Sequence, residues 1–110
     1  MHSNNEIGTI QPVETIGTIC KKYNVPFFTD ACQSAGYLKI DVKSENISAL
    51  AINASKIYGP KGIGFLYIKK DTPIKPELHG GTQNHSLRAG TENISGIAAL
   101  TKALEIAQEQ

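Results

Sequence analysis

The chain has 110 residues, with 11 basic and 10 acidic side chains and a formal net charge of +1. This length suits one small domain with a modest core. The balanced charge, without a basic stripe, argues against nucleic acid as a partner, and the short apolar runs argue against a membrane span. No charged stretch followed by an apolar run opens the sequence, so we expect no signal peptide and a cytoplasmic location.

The first half of the chain predicts a loop, a helix and a strand. Residues 1–8 are polar and are either a plain loop start or a ligand loop in which an asparagine amide donates to a carboxylate. Apolar residues at three- and four-residue intervals predict an amphipathic helix over residues 12–23, with Asn24 as a C-cap. Residues 25–30 predict a buried strand whose last residue, Asp30, either caps the next turn or meets a ligand.

A lysine follows the next predicted strand. Residues 49–52 form a short apolar run that leads to Lys56, and a glycine-rich turn precedes a further strand over residues 65–68. Lys56 is either an ordinary exposed lysine or a Schiff-base lysine in a partly desolvated position, with Lys61 as the competing candidate. If the two strands are parallel neighbours, Asp30 and Lys56 converge on one edge of the sheet.

The remaining chain predicts a long loop and a second helix. Residues 69–91 are rich in proline, glycine and polar side chains, and a loop of this length is usually functional or part of an interface. Residues 94–107 predict a helix with one buried stripe, capped by one of residues 91–93. The order of elements predicts an α/β fold, and the open sheet edges indicate a single partial domain over residues 1–110.

The two cysteines do not indicate a metal site. Cys20 and Cys32 form no C-x-x-C pair, and the histidines lack zinc-ligand spacing, so we predict no metal. We expect both cysteines to be reduced and to be structural or incidental.

Four motifs occur in the order found in the cysteine desulfurases. They are Met-His-x-Asn-Asn-Glu-Ile-Gly at residues 1–8, Asp-Ala-Cys-Gln at 30–33, Ser-Lys-Ile-Tyr-Gly-Pro-Lys-Gly-Ile-Gly at 55–64, and His-Gly-Gly…Arg-Ala-Gly-Thr at 79–91. Each is weak alone, but all four together are specific. The whole chain therefore resembles the cysteine desulfurases, a group of the class-V aminotransferase superfamily. These enzymes convert L-cysteine to L-alanine and an enzyme persulfide, which supplies sulfur to iron–sulfur clusters and tRNA.

The resemblance implies a fold and a domain assignment. The chain would be the central segment of the large domain of a fold-type I pyridoxal-phosphate enzyme, with a mostly parallel sheet and flanking helices. Family members are several times longer, and no part of this chain matches their small C-terminal domain or the loop that carries the persulfide cysteine. Cys20 and Cys32 match neither position. We therefore expect the chain to be inactive alone.

The resemblance also implies roles at the ring of pyridoxal 5'-phosphate. Lys56 would hold the cofactor through a Schiff base. Asp30 would pair with the pyridine nitrogen and keep the ring electron-withdrawing. Gln33 would bond the phenolic oxygen, and Asn5 would reach the ring oxygen or the substrate carboxylate.

Three further residues are implied at the phosphate. Asn53 and Ser55 would bind it, and Thr91 would reach the phosphate of the neighbouring subunit in a homodimer. Most desulfurases have a histidine where this chain has Ser55, and commonly a serine where it has Asn53. These departures affect the expected strength of phosphate binding, because a serine hydroxyl has less reach than an imidazole and no positive charge.

The motifs are also compatible with other functions. A selenocysteine lyase or another class-V aminotransferase would share these motifs, and a non-catalytic dimerising fragment would bind no cofactor. The expected partners are L-cysteine, a second subunit and a sulfur-acceptor scaffold protein. A nucleotide-binding domain is disfavoured, because the glycine-rich turn lacks the G-x-x-x-x-G-K-[ST] order.

Overall fold

A computed structural model describes residues 1–109 of the chain. Its helices and strands are α1 (Val13–Lys22), β1 (Phe28–Asp30), β2 (Ala49–Asn53), β3 (Gly64–Ile68) and α2 (Ile94–Gln108). Two single 3-10 turns, Ala54–Lys56 and Asn84–Ser86, complete the regular structure of this part. The predicted α/β fold is confirmed. Neither helix has the length and apolar character that a membrane span requires.

The three strands form one small mixed sheet in the order β1-β2-β3. β1 is parallel to β2, with Phe28 opposite Ala49 and Asp30 opposite Ala51. β3 is antiparallel to β2 and pairs along its whole length, from Ala49 opposite Ile68 to Asn53 opposite Gly64. The strands before Asp30 and Lys56 are therefore parallel neighbours.

The strand predicted over residues 25–30 was too long and too buried. β1 covers only Phe28–Asp30, and of its residues only Thr29 is buried, whereas the Phe28 side chain is 56% exposed. Two features explain the difference. Pro26 has no N–H to give to a ladder, and β1 pairs with another strand on one side only within the described residues.

Helix α1 ends as its sequence predicts, with one shift of position. The C-cap is Tyr23, and Asn24 lies one residue beyond it with a left-handed φ of 55°. The Asn24 N–H donates to the Lys21 carbonyl at 3.2 Å, and the Val25 N–H donates to the Cys20 carbonyl at 2.9 Å. These two bonds form a Schellman motif, which satisfies carbonyls that the helix end leaves free.

Helix α2 begins at one of the three predicted caps. The Asn93 side-chain oxygen accepts a hydrogen bond from the Gly96 N–H at 3.0 Å. This bond satisfies one of the free N–H groups of the first turn.

The core consists of two clusters. The larger one lies between α1 and the sheet, and its buried members are Val13, Ala31, Ala35, Ile47, Leu50 and Ile52. The smaller one joins α2 to the turn after β2, through Ala54, Ile57 and Leu100. The second cluster packs the residues on either side of Lys56 against helix α2.

The loop over residues 69–91 is more ordered than its sequence predicts. Residues 84–86 all have positive φ angles, between 46° and 62°. The Asn84 amide donates to the Arg88 carbonyl at 3.3 Å, and the Gly90 N–H donates to the Gln83 side-chain oxygen at 3.3 Å. The polar side chains of Gln83 and Asn84 therefore stabilise the part of the loop between residues 83 and 90.

Gly17 gives a test of how α1 packs. A Cβ atom at this position would lie 1.8 Å from the Glu45 carbonyl oxygen, so the helix approaches the loop before β2 too closely for any side chain. We expect Gly17→Ala to lower the free energy of unfolding by ~3 kcal/mol, because backbone must move to make room. Denaturant unfolding followed by circular dichroism measures this loss.

The neighbouring substitution Thr18→Ala is the control, because Thr18 is exposed on the same helix. It should change stability by less than ~0.5 kcal/mol, because substitutions at exposed positions have small effects. Any change should be a gain, since alanine is the better helix former. Equal stabilities of the two variants would contradict the packing described for Gly17.

Candidate functional site

The site lies at the edge of the sheet where β1 and β2 both end. Because the strands are parallel, Asp30 and Asn53 leave the sheet at the same edge, and Lys56 follows in the turn directly after β2. The sequence predicted that Asp30 and Lys56 converge at one edge if the two strands are parallel neighbours, and the pairing of β1 with β2 meets that condition.

The turn that carries Lys56 is held by buried residues on either side. Ala54 is fully buried and Ile57 is 3% exposed, whereas Ser55 and Lys56 are exposed. The turn is tight. Gly59 approaches Ala54 so closely that a Cβ atom on Gly59 would lie 2.8 Å from the Ala54 Cβ. With its neighbours anchored in the core, the chain must present Ser55 and Lys56 to the outside.

The competing lysine lies in a different environment. Lys61 precedes Gly62, which has a φ of 80° and open space around its Cβ position. The Lys56 carbonyl, in contrast, accepts a hydrogen bond from the Tyr37 hydroxyl at 3.4 Å. Both lysines are exposed, but only Lys56 lies between core residues.

Asp30 caps the turn that follows it. The Cys32 backbone N–H donates to Asp30 Oδ1 at 2.9 Å. This bond, together with the nearby Cys32 side chain, lowers the pKa of Asp30 below its usual value, against the opposing effect of desolvation. Asp30 is therefore a carboxylate at neutral pH. The turn-capping interpretation is observed, and its exposed side chain is also available to a cationic group.

The Cys32 thiol is protonated at neutral pH. Burial, a hydrogen bond to Asp30 and the negative charge of Asp30 all raise the pKa of Cys32. The thiol lies 3.8 Å from the Ala51 carbonyl oxygen, between the ends of β1 and β2. Because a thiolate is the reactive form of cysteine, this environment does not suit a nucleophile.

The two asparagines of the first loop have different tasks. The Asn4 side-chain oxygen accepts from the backbone N–H groups of Glu6 and Ile7, at 2.8 and 3.2 Å, and so shapes the loop. The Asn5 side chain is exposed, and within residues 1–109 it donates only to the neighbouring Glu6 carboxylate, at 3.2 Å. Of the pair, Asn5 is free to meet a ligand.

The remaining predicted residues differ in burial. Gln33 is half-buried and Thr91 is exposed, just before α2. Asn53 is half-buried, and its side-chain oxygen is fully buried without a hydrogen-bond partner among the described residues. A buried polar atom without a partner is uncommon in native proteins. A bound group could therefore supply the hydrogen bond that this amide lacks.

These side chains fit pyridoxal phosphate in their chemistry. The edge offers a primary amine, a carboxylate for a protonated ring nitrogen, and hydroxyl and amide groups for an anion. In contrast, histidine, cysteine and carboxylate side chains within residues 1–109 form no group of three that could hold a metal ion. The Ser34 hydroxyl was expected beside Asp30, but its contact with His2 and the contact of the Tyr37 hydroxyl with the Lys56 carbonyl were not, because nothing in the spacing of His2 and Tyr37 indicates them.

Comparison with known proteins places the chain among related enzymes. The family model for aminotransferase class-V matches residues 1–110. The chain is 52% identical over 109 residues to the cysteine desulfurase IscS of Clostridium botulinum, covering 99% of this chain and 28% of that protein. It is 46% identical over 112 aligned positions to the mitochondrial cysteine desulfurase of Arabidopsis thaliana, covering 100% of this chain and 25% of that protein.

A solved structure agrees with these relatives. The structure described as SspA in complex with cysteine matches with a TM-score of 0.91 and 45% identity, over 94% of this chain and 30% of that one. This chain spans less than a third of the length of each of the three proteins.

The environment of Cys32 predicts slow reaction with alkylating reagents. In a Cys20→Ser background, labelling of Cys32 by iodoacetamide at neutral pH should be slower than labelling of a small free thiol, because burial and the charge of Asp30 raise its pKa. The rate should increase as the pH is raised and more of the thiol is ionised. Substituting Asp30→Asn removes the nearby charge and should make labelling faster; an unchanged or slower rate would contradict this electrostatic coupling.

Proposed function

The chain belongs to the class-V aminotransferase family, and we propose that it is the pyridoxal-phosphate-binding segment of a cysteine desulfurase. The observation that carries the proposal is the placement of Asp30 at the end of β1 and of Lys56 just after the end of its parallel neighbour β2. Ligands of α/β proteins bind at such strand ends. The desulfurase names of the relatives support the choice within the family.

Each residue at the ring has a chemical task that its surroundings support. Lys56 provides the amine that binds the cofactor aldehyde, on a turn that the core holds in place. Asp30 accepts a hydrogen bond from the ring nitrogen as a carboxylate, in keeping with its lowered pKa. Asn5 and Gln33 offer amides to the ring oxygen and to a substrate carboxylate. When bound, pyridoxal phosphate supplies an electron sink for the substrate carbanion.

The phosphate would be bound by residues at the start of the same turn and at the end of the long loop. Ser55 offers a hydroxyl donor. Rotating the Asn53 amide exchanges its buried oxygen for an NH₂ donor, which is the group that an anion requires. Thr91 is exposed in front of α2, where it can serve the phosphate site of a second subunit.

The complete reaction depends on a longer protein. The substrate would be L-cysteine, and the nucleophilic cysteine would lie outside residues 1–110, which the raised pKa of Cys32 supports. The persulfide would supply sulfur for iron–sulfur clusters or tRNA through a scaffold protein. We propose a cytoplasmic homodimer, in which exposed apolar side chains such as Tyr58 and Ile94, 95% and 70% exposed, become covered. Alone, the chain would bind cofactor without completing the reaction.

Cofactor capture by a specific lysine tests the proposal. The purified chain, mixed with pyridoxal phosphate, should develop a visible absorbance band. Borohydride reduction followed by peptide mass mapping should place the adduct on the peptide that contains Lys56. Lys56→Ala should abolish the band, whereas the control Lys61→Ala should leave it unchanged, because only Lys56 is fixed between buried residues.

Two outcomes would contradict the proposal. Adducts spread over the exposed lysines would mean that the chain does not select Lys56. No band, together with an oligomer whose size depends on concentration, would instead favour the dimerising fragment. Replacing Asp30→Ala should weaken binding by about tenfold, since a hydrogen bond to a charged group is worth roughly 1.5–3 kcal/mol.

A further inference from the structure

A buried polar pair joins the first residues of the chain to the turn after β1. His2 is 5% exposed and Ser34 is fully buried. Their side chains meet at 2.9 Å between the His2 Nδ1 atom and the Ser34 hydroxyl. The residues are far apart in sequence, so this contact exists only when the two segments are packed together.

The Ser34 hydroxyl has a second neighbour. It also lies 3.3 Å from the Ala31 carbonyl oxygen. A hydroxyl has one proton, so if it donates to Ala31, the His2 Nδ1–H donates to Ser34; otherwise Nδ1 accepts. In either arrangement the His2 ring satisfies a hydroxyl that has no access to water, and losing the ring would leave that group with only the longer contact.

The backbone of His2 is tied to the same place. The His2 N–H donates to the Asp30 carbonyl at 2.7 Å, and the His2 carbonyl accepts from the Gln11 N–H at 2.9 Å. A bridge between Ser3 and Ile10 closes the loop between them. The loop is therefore closed on His2, and His2 in turn is bonded to Asp30, the last residue of β1.

The anchor points surround the residues assigned to the cofactor. The His2 backbone contacts Asp30, and the His2 side chain contacts Ser34. Gln33 lies in the short segment between these two contacts. Asn5 lies within the loop that His2 begins. A shift of His2 would therefore displace Asn5 relative to Asp30 and Gln33.

We propose that the His2–Ser34 pair is a positioning element that sets the spacing between Asn5 and the Asp30–Gln33 turn, which makes it part of the binding site without contact to the ligand. This role rests on the proposed function, because it assumes that these residues meet the cofactor. A pair that only adds stability would affect the whole chain, whereas a positioning pair affects these two segments first.

Four variants separate the two roles. His2→Leu and Ser34→Ala each remove the side-chain bond. His2→Asn places an amide where Nδ1 lies, and His2→Gln moves the amide one atom further, to the place of Nε2. If the Nδ1 contact matters, Asn should rescue and Gln should not.

The first measurement is amide hydrogen exchange by nuclear magnetic resonance on the 110-residue chain. The Gln11 and Ser34 amides, bonded to the carbonyls of His2 and Ala31, report on the two segments, and Leu100 in α2 is the reference. His2→Leu and Ser34→Ala should accelerate Gln11 and Ser34 by roughly fivefold to tenfold, the size expected when one buried hydrogen bond is lost. Leu100 should change by less than about twofold, and His2→Asn should behave like the unsubstituted chain.

The second measurement is the dissociation constant of pyridoxal phosphate from its visible band. It should rise by about fivefold in His2→Leu, His2→Gln and Ser34→Ala, and return to the original value in His2→Asn. The double variant His2→Leu with Ser34→Ala should be no worse than either single one, because both remove the same bond.

Several results would overturn the proposal. These are equal acceleration of Leu100, unchanged exchange at Gln11 and Ser34, additive effects in the double variant, or a normal dissociation constant despite faster exchange. If His2→Leu does not fold, Ser34→Ala removes the same bond with a smaller change of volume and decides the question. If the unsubstituted chain takes up no cofactor, the proposed function fails, while the exchange data still show whether the pair holds the two segments together.

Discussion

The site depends on the parallel ladder between β1 and β2. Parallel strands end at the same edge of a sheet, and this pairing brings Asp30 beside the residues that follow β2. The ladder continues past β1, because the Ala31 N–H donates to the Ala51 carbonyl at 2.9 Å. An antiparallel arrangement of the same strands would place Asp30 at the opposite edge from Lys56. A short strand with few bonds thus determines how Asp30 is placed relative to the turn that carries Lys56.

Burial then decides which side chains the edge presents. Ala54 and Ile57 pack against Leu100 of α2, and Ser55 and Lys56 between them point outward. On the other strand, the hydrogen bond from the Cys32 N–H keeps Asp30 ionised. The chain therefore supplies an exposed amine on a turn held by the core, and a carboxylate, at an open edge of the sheet. The chain spans less than a third of the length of the relatives it matches, so under the proposed function residues outside the matched region would form the remaining walls of the site.

The sequence predicted those features that arise from local periodicity and from general rules of α/β sheets. Both helices were found because their apolar residues recur at helical spacing, and Asp30 and Lys56 were paired because ligands bind at strand ends. The extent of β1 was wrong, because the apolar run 25–28 resembles a buried strand although Pro26 cannot join a ladder. The cofactor-binding roles stay predictions for every site residue: Asn5, Asp30, Gln33, Asn53, Ser55, Lys56 and Thr91. The His2–Ser34 contact could not be predicted, since it joins two polar segments through packing alone.

Cross-linking of the two strand ends is the most direct test of this arrangement. In a chain carrying Cys20→Ser and Cys32→Ser, the pair Asp30→Cys and Lys56→Cys should be joined rapidly by a short bifunctional thiol reagent. The pair Asp30→Cys and Lys69→Cys should not, because the Lys69 N–H donates to the Ser48 carbonyl at the opposite end of β2. Rapid cross-linking of the second pair, with none in the first, would mean that β1 and β2 do not pair in parallel and that Asp30 and Lys56 do not share a site.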